Sequence, residues 1–231
     1  MTSEKRYVVM RHDAPFRILH WAIFVEGVLL TLTGLQLGGF AGIVVLPSED
    51  LAFHIAIGVV YVLTAILFLF EIIQSRDYKW VALRRIPLSL KYIITETKAW
   101  FSLGPKPEDP IAYDKDKGQY VEKLIPSVII VFWTFILLGV ILALTGLAMA
   151  FPAQFGFVYA VTDPIGGLLT GVTGLAFMLV LHRLMTFLLI ALVAAHVYAS
   201  FVFKLVRSVI IGKRGERVVT QTPVSPAEAK G

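Results

Sequence analysis

Four long apolar runs dominate the sequence, at about residues 18–38, 51–73, 124–151 and 171–203. Each run is long enough to cross ~30 Å of hydrocarbon as a helix. Inside a bilayer the backbone must satisfy its own hydrogen bonds, so runs of this length are predicted to be membrane-spanning helices. The composition agrees, with 57% hydrophobic residues, 16% charged residues and a mean hydropathy of +0.78. We predict one all-α membrane domain over residues 1–231, built as a four-helix bundle.

The polar segments between these runs are predicted to differ in structure. Residues 74–123 contain ten lysines and arginines, and apolar residues at positions 90, 93, 94, 100 and 101 approximate helical spacing. This spacing predicts an amphipathic helix on the membrane surface. Three prolines and two glycines within residues 104–120 predict a turn-rich loop. Residues 152–170 connect the third and fourth spans, and residues 204–231 form a basic tail.

The basic residues are distributed unevenly between the two sides of the membrane. The loops at residues 39–50 and 152–170 contain no lysine or arginine, whereas the N-terminus, the central segment and the tail hold twenty of the twenty-one. The positive-inside rule therefore predicts that both termini and the central segment are cytoplasmic. The first run is too long for a signal-peptide core and lacks a small-residue cleavage site, so we predict that it is retained. The net charge of +5 thus indicates membrane orientation and not nucleic-acid binding. The sequence predicts a multi-pass protein of a prokaryotic inner (plasma) membrane.

Four histidines lie within the apolar runs: His20, His54, His182 and His196. His182 and His196 are fourteen residues apart, which places them on one helix face, roughly 21 Å apart along the axis. Ionisable side chains are rare in membrane spans, and they indicate functional sites. His20 and His196 are predicted at one cytoplasmic-side level. His54 lies near the outer end of its span, and His182 shares its level if the fourth span projects outward.

Two facing pairs of neutral imidazoles are the ligand set of bis-histidine b-type haem. The chain has no cysteine, which excludes disulfides, cysteine-ligated zinc, iron–sulfur clusters held by this chain and c-type haem. A lone intramembrane histidine could equally be a hydrogen-bonded core residue, but four at paired depths favour two haem b groups. Arg17 and Arg183 each lie beside one predicted ligand and are candidates to pair with haem propionates.

Other polar and aromatic residues are predicted to have mainly structural roles. His12, outside the spans, is predicted to be solvated. Glu26 either assists proton uptake or hydrogen-bonds to a neighbouring helix. The tryptophans are predicted to be interfacial anchors or packing residues: Trp21, Trp80, Trp100 and Trp133.

Several short segments resemble the cytochrome b (gamma) subunit of respiratory formate dehydrogenases, a family related to the cytochrome b subunits of nickel–iron hydrogenases and thiosulfate reductase. They are RILHW at 17–21, LTG at 32–34 and 144–146, FHIAIG at 53–58, GQ at 118–119, and the H-x13-H spacing followed by VY. The resemblance covers nearly the whole chain. It implies that His20 and His196 ligate the cytoplasmic-side haem, and that His54 and His182 ligate the outer haem.

The resemblance also implies a quinone pocket formed by Asp116, Gly118 and His196. The family pattern there resembles Asn-x-Gly-Gln, which aligns with Asp116, Lys117, Gly118 and Gln119. Asp116 in place of asparagine is a departure, because an ionised carboxylate does not donate a hydrogen bond to a quinone carbonyl. A solvated turn is the alternative for this segment. Arg183, where the family has a small residue, is a second departure.

The expected function is electron transfer from an iron–sulfur subunit, working with a molybdenum or tungsten catalytic subunit, to menaquinone or ubiquinone. A hydrogenase or another oxidoreductase is the alternative electron donor. A histidine-based metal or proton transporter, with Glu26 in its path, is the alternative of a different class. The transporter would be colourless, and no internal repeat supports it.

Overall fold

The computed structural model describes residues 6–46, 48, 50–105 and 107–219. Its helices are α1 (Ala14–Leu37), α2 (Asp50–Gln74), α3 (Ile86–Trp100), α4 (Ser127–Ala150), α5 (Pro152–Phe155), α6 (Phe157–Thr170), α7 (Gly174–Val202) and α8 (Val206–Ile211). By length and composition, α1, α2, α4 and α7 can cross a membrane. The predicted four-helix membrane fold is confirmed. The helices begin or end up to four residues from the predicted span boundaries, most visibly at Ala14.

The chain divides into two compact units. The membrane unit consists of residues 14–76 and 131–206, and the polar unit is drawn from residues 1–13, 77–130 and 207–231. In the membrane unit α1 packs along α2, and α6 packs on α7. Many large apolar side chains on these helices remain exposed, as expected of a surface that faces lipid.

The connection at residues 152–170 is helical. Gly166 of α6 lies so close to α7 that an added Cβ would stand 2.5 Å from Cγ of Phe177. A carboxylate oxygen of Asp163 accepts a hydrogen bond from the Gly174 amide at 2.8 Å, which ties α6 to the start of α7. The absence of a side chain at Gly166 and the hydrogen bond of Asp163 explain why the connection folds back onto α7.

Two short antiparallel ribbons add to the helical fold in the polar unit. β1 (Arg6–Met10) pairs with β4 (Lys213–Arg217), and β2 (Ala112–Asp114) pairs with β3 (Gln119–Glu122). The predicted loop at 104–120 therefore includes most of a hairpin, and the predicted tail begins as a helix and a strand. The sequence of β4 is charged and lacks the alternation of apolar and polar residues from which a strand is predicted. Because β1 pairs with β4, the segments before α1 and after α7 lie together.

The predicted amphipathic helix is confirmed as α3. Pro87 lies in its first turn, where a missing amide hydrogen costs nothing. Leu90, Ile94 and Trp100 are exposed along it. Its placement on the membrane surface remains a prediction that follows from this apolar face.

Buried charges join the ends of the chain to the central segment within the polar unit. Glu216, 1% exposed, accepts hydrogen bonds from Arg11 at 2.9 Å, Arg214 at 2.8 Å and the Tyr120 hydroxyl at 3.1 Å. Burial and the Glu216 carboxylate raise the pKa of Tyr120. Arg11 also donates to the carbonyl of Lys123. One carboxylate thus holds together three segments that are distant in sequence.

Candidate functional site

The inner histidine pair is formed by α1 and α7. The ring centres of His20 and His196 are 6.4 Å apart, and the ring planes are inclined by 47°. Metal–nitrogen bonds of about 2.0 Å place the centres of two imidazoles on opposite sides of one metal roughly 6–6.5 Å apart. The observed separation therefore leaves room for one metal ion between the two rings.

Aromatic side chains surround the inner pair. Phe16 stacks on His20 at 6.0 Å between ring centres, and Phe68 lies 6.4 Å from the same ring. Phe135 contacts His196 edge-on at 5.6 Å. Within the described parts of the chain, Nδ1 of His20 is buried and has no hydrogen-bond partner. Packing against aromatic side chains therefore holds the His20 ring.

The outer pair lies on α2 and α7. His54 and His182 line one cavity in the membrane unit, together with residues from α1 and α4. The two histidines therefore lie at one level of the membrane unit. In each case Nδ1 is engaged: His54 by the Thr33 hydroxyl at 2.8 Å, and His182 by the Thr145 hydroxyl at 2.7 Å.

Glycines open the walls of this cavity. Gly27, Gly58, Gly139 and Gly146 all line it. A Cβ added at Gly139 would meet nothing within 4 Å, and one added at Gly58 would meet only Leu30 at 3.8 Å. A glycine inside a helix lowers helix stability by about 1 kcal/mol relative to alanine. The open space beside these glycines therefore indicates that they leave room for a bound group.

Haem b fits this donor set. The four histidines are half-buried among apolar and aromatic side chains, which suits neutral imidazole ligands. Thr33 and Thr145 hold the Nδ1 atoms of the outer pair, so Nε2 of each ring is the nitrogen left to bind iron. The glycine-lined cavity beside the outer pair is mostly apolar and lies between the spanning helices. The polypeptide thus meets the needs of the cofactor that the sequence predicts.

The two predicted propionate partners lie on the same helices as the ligands. Arg17 is half-buried on α1, one turn before His20. Arg183 follows His182 on α7, with Nε 3.9 Å from the place that a Cβ on Gly38 would take, so it lies beside the end of α1. Its side chain is exposed, and no carboxylate of the described segments forms an ion pair with it.

Glu26 lies on α1 between the levels of the two pairs and makes a helix–helix contact. One of its carboxylate oxygens accepts a hydrogen bond from the Thr64 hydroxyl of α2 at 2.9 Å. The other is buried without a hydrogen-bond partner among residues that the structure describes. The Thr64 bond is the helix–helix contact that the packing interpretation of Glu26 predicts.

The predicted quinone residues of the central segment form the turn of the β2–β3 hairpin. Asp114 accepts hydrogen bonds from the amides of Asp116 and Lys117, both at 3.0 Å. Gly118 has a φ of +63°, which glycine adopts without strain. Local turn chemistry accounts for Asp114 and Gly118, whereas the Asp116 side chain is exposed. These residues belong to the polar unit, and His196 belongs to the membrane unit.

The other expectations concern His12 and the tryptophans. His12 is half-buried, not fully solvated, and its amide donates to the Gly212 carbonyl at 3.3 Å. Trp100 is 72% exposed, which suits an interfacial anchor. Trp21 packs edge-on against His20, and Trp80 contacts Lys79 and Arg85 through its ring. Trp133 packs on its neighbour Phe132.

Sequence reasoning missed the threonines and glycines of the outer site. The available signal was the LTG triplet, which occurs twice but was read only as a mark of family resemblance. The role of each triplet depends on a contact between helices that the sequence does not show. Thr33 of α1 contacts His54 of α2, and Thr145 of α4 contacts His182 of α7.

Comparison with known proteins supports a haem-binding interpretation. A family model described as prokaryotic cytochrome b561 matches residues 11–212, which include all four spanning helices and both histidine pairs. No curated protein matches the chain. The match and the four apolar helices agree on a multi-pass protein of the inner membrane. The chain therefore belongs to the prokaryotic cytochrome b561 family, as a membrane subunit that binds haem b and transfers electrons.

Proposed function

We propose that the chain is the dihaem cytochrome b subunit of a respiratory oxidoreductase and passes electrons from a peripheral iron–sulfur partner to menaquinone or ubiquinone. The observation that carries the proposal is the arrangement of α7. This single helix presents His196 to His20 of α1 and brings His182 into the cavity that His54 of α2 also lines. Each pair thus has one member on α7, and two such pairs at two depths would hold two haems.

The chain's own residues would divide the work as follows. His20 with His196, and His54 with His182, would hold the two haems, while Arg17 and Arg183 would pair with propionates. Bound haem supplies one-electron redox chemistry. The phenylalanines around the inner pair exclude water from the ligands, and the threonines orient the outer rings. With the basic segments in the cytoplasm, the inner pair lies on the cytoplasmic side.

A reduced optical spectrum with haem quantification tests the dihaem proposal. The purified chain should contain two haem b per polypeptide, and His20→Ala and His54→Ala should each retain one. His12→Ala, a histidine outside the spans, should retain both. One haem or none in the unaltered protein would refute the dihaem assignment, and a colourless protein would favour the transporter alternative.

The donor is proposed to be an iron–sulfur subunit that works with a molybdenum or tungsten formate dehydrogenase. The support is the likeness of the RILHW and FHIAIG segments and of the histidine spacing to the gamma subunits of those enzymes. In native membranes, formate should reduce the b haems. Reduction by hydrogen but not by formate would replace the formate dehydrogenase with a hydrogenase.

The quinone pocket is proposed to involve Asp116, Gly118 and His196. Asp116 provides the sharper test, because substitution at Gly118 would strain a left-handed backbone. Asp116→Ala leaves the backbone bond to Asp114 in place and should slow quinone reduction several-fold at unchanged haem content. Lys115→Ala, in the same turn, is the control. Equal turnover of Asp116→Ala and the unaltered protein would remove Asp116 from the pocket.

A further inference from the structure

An eight-residue sequence occurs twice in the membrane unit. It reads GVLLTLTG at residues 27–34 of α1 and GVILALTG at residues 139–146 of α4, with six of the eight positions identical. The first glycine of each copy lines the outer cavity, and each copy ends in Thr-Gly. The sequence analysis found no internal repeat. The structure draws attention to this one, because the two copies make the same contact.

Each terminal threonine contacts one histidine of the outer pair and one carbonyl of its own helix. Thr33 Oγ1 lies 2.8 Å from Nδ1 of His54 and 2.8 Å from the carbonyl of Leu29. In the second copy, Thr145 Oγ1 lies 2.7 Å from Nδ1 of His182 and 2.7 Å from the carbonyl of Ile141.

The two contacts of each hydroxyl favour one tautomer of both histidines. A hydroxyl has one hydrogen to donate, and the helix carbonyl accepts it. The oxygen of Thr33 is then left to accept a hydrogen bond from Nδ1–H of His54, and Thr145 does the same for His182. Nε2 of each ring therefore keeps its lone pair, as an iron ligand requires.

The terminal glycines set the position of the same rings. A Cβ at Gly34 would stand 3.3 Å from Cε1 of His54, and a Cβ at Gly146 would stand 3.4 Å from Cε1 of His182. Real side chains rarely pack this closely, so each glycine lets the ring approach its threonine. Thr-Gly thus supplies a hydrogen-bond acceptor and the space beside it.

The inner pair differs in this respect. Nδ1 of His20 is buried and has no hydrogen-bond partner within the described chain, and aromatic rings surround the imidazole. The two candidate haem sites therefore differ in how the protein supports the ligand rings, although both use two histidines.

We propose that Thr33 and Thr145 are positioning residues that lower the reduction potential of the outer haem. A histidine that donates its Nδ1–H to an acceptor is a more basic ligand, and a more basic ligand stabilises ferric over ferrous iron. The inference rests on the proposed dihaem function and deepens it. The outer site, where electrons enter, is made the more reducing one by this bond, and the inner site lacks the corresponding bond at His20.

Redox titration of the purified holoprotein tests the inference, with low-temperature electron paramagnetic resonance as a second measurement. The outer haem is identified as the component lost in His54→Ala. In Thr33→Val, in Thr145→Val and most strongly in the double variant, its midpoint potential should rise and its resonance should shift. The midpoint potential of the inner haem should stay constant.

Two kinds of control separate the hydroxyl from general packing. Thr33→Ser and Thr145→Ser keep the acceptor and should behave as the unaltered protein. Ser200→Ala removes a hydroxyl that donates to the His196 carbonyl at 2.8 Å, the same type of helix bond without a ring contact, and should leave the outer haem unchanged.

The outcomes distinguish this inference from the proposed function. Two haems with an outer potential and resonance unaffected by the double valine change would overturn the inference and leave the dihaem function intact. If the valine variants lose the outer haem, retention in the serine variants supports the hydroxyl role, and loss in the serine variants overturns it. Fewer than two haems in the unaltered protein would refute the proposed function itself.

Discussion

At the scale of single residues, some features around the histidines suit a cofactor and others are explained by folding. His20 of α1 faces His196 of α7, and His54 of α2 lines one cavity with His182 of α7. Glu26 has a packing role, through the hydroxyl of Thr64. Gly27, Gly58 and Gly139 of the outer cavity are the opposite case, because an added Cβ would meet no atom closer than 3.8 Å. Gly139 is the clearest example, with no atom within 4 Å of an added Cβ.

We expect Gly139→Leu to remove the outer haem without preventing membrane insertion. Leucine favours a helix by up to about 1 kcal/mol over glycine, and its side chain would enter the cavity. Pyridine haemochrome analysis should show haem falling from two groups to one per chain. Val140→Leu, at an exposed neighbour on α4, is the matched control and should keep both. Full haem content in Gly139→Leu would show that the cofactor does not use this space.

The ligand residues could be predicted from sequence, but the atoms that support them could not. Histidines in apolar runs are conspicuous because burying an ionisable group is costly. Thr33 and Thr145 are unremarkable in a helix, where a threonine often bonds to its own backbone. Their second contact depends on helix rotation, which sequence spacing within one helix does not specify.

At the scale of elements, the sequence predicts the spanning helices and α3 but not the strands. The four spans follow from hydropathy, and α3 follows from helical spacing. The β1–β4 ribbon does not follow from either, because its register brings together residues more than two hundred positions apart. Hydrogen bonds, not apolar alternation, join this ribbon to the central segment: Arg11 donates to the Lys123 carbonyl, and the Tyr120 hydroxyl donates to Glu216.

We expect Glu216→Gln to loosen the β1–β4 ribbon severely. Glu216 is the shared acceptor for Arg11 and Arg214, and breaking a buried ion pair by removing one partner costs about 3–5 kcal/mol. Hydrogen exchange of the ribbon amides in nanodiscs should accelerate by at least a hundredfold. Exchange in α2 should stay unchanged.

The pair that the exposed Lys117 forms with the buried Asp114 provides the comparison for that experiment. The Lys117 side chain is 54% exposed, and surface pairs contribute about 0–1 kcal/mol. Lys117→Met should therefore leave the ribbon's exchange close to that of the unaltered protein. Similar exchange in Glu216→Gln and Lys117→Met would mean that the buried carboxylate does not hold the ribbon.

At the scale of the whole molecule, the three polar segments predicted to be cytoplasmic contribute to one compact unit. Pairing of β1 with β4 requires the segments before α1 and after α7 to lie on one side of the membrane, as four crossings also do. The side itself follows from the distribution of basic residues.

We expect single-cysteine labelling to confirm this orientation. The chain has no cysteine, so each variant carries one reactive thiol. An impermeant maleimide should label Val44→Cys in intact spheroplasts and Lys115→Cys only after permeabilisation. Both positions are exposed in the fold. The reverse pattern would invert the topology, and labelling of both from one side would contradict the crossing count.

The position of α7 in the chain has a consequence for biogenesis. Its residues, Gly174–Val202, follow all the other spans and supply one member of each histidine pair. During synthesis, His20 and His54 enter the membrane long before either has a facing imidazole. Neither pair is complete until α7 has left the ribosome, so chains truncated before α7 lack both pairs, and a haem that needs both histidines of a pair would bind only after α7 is made.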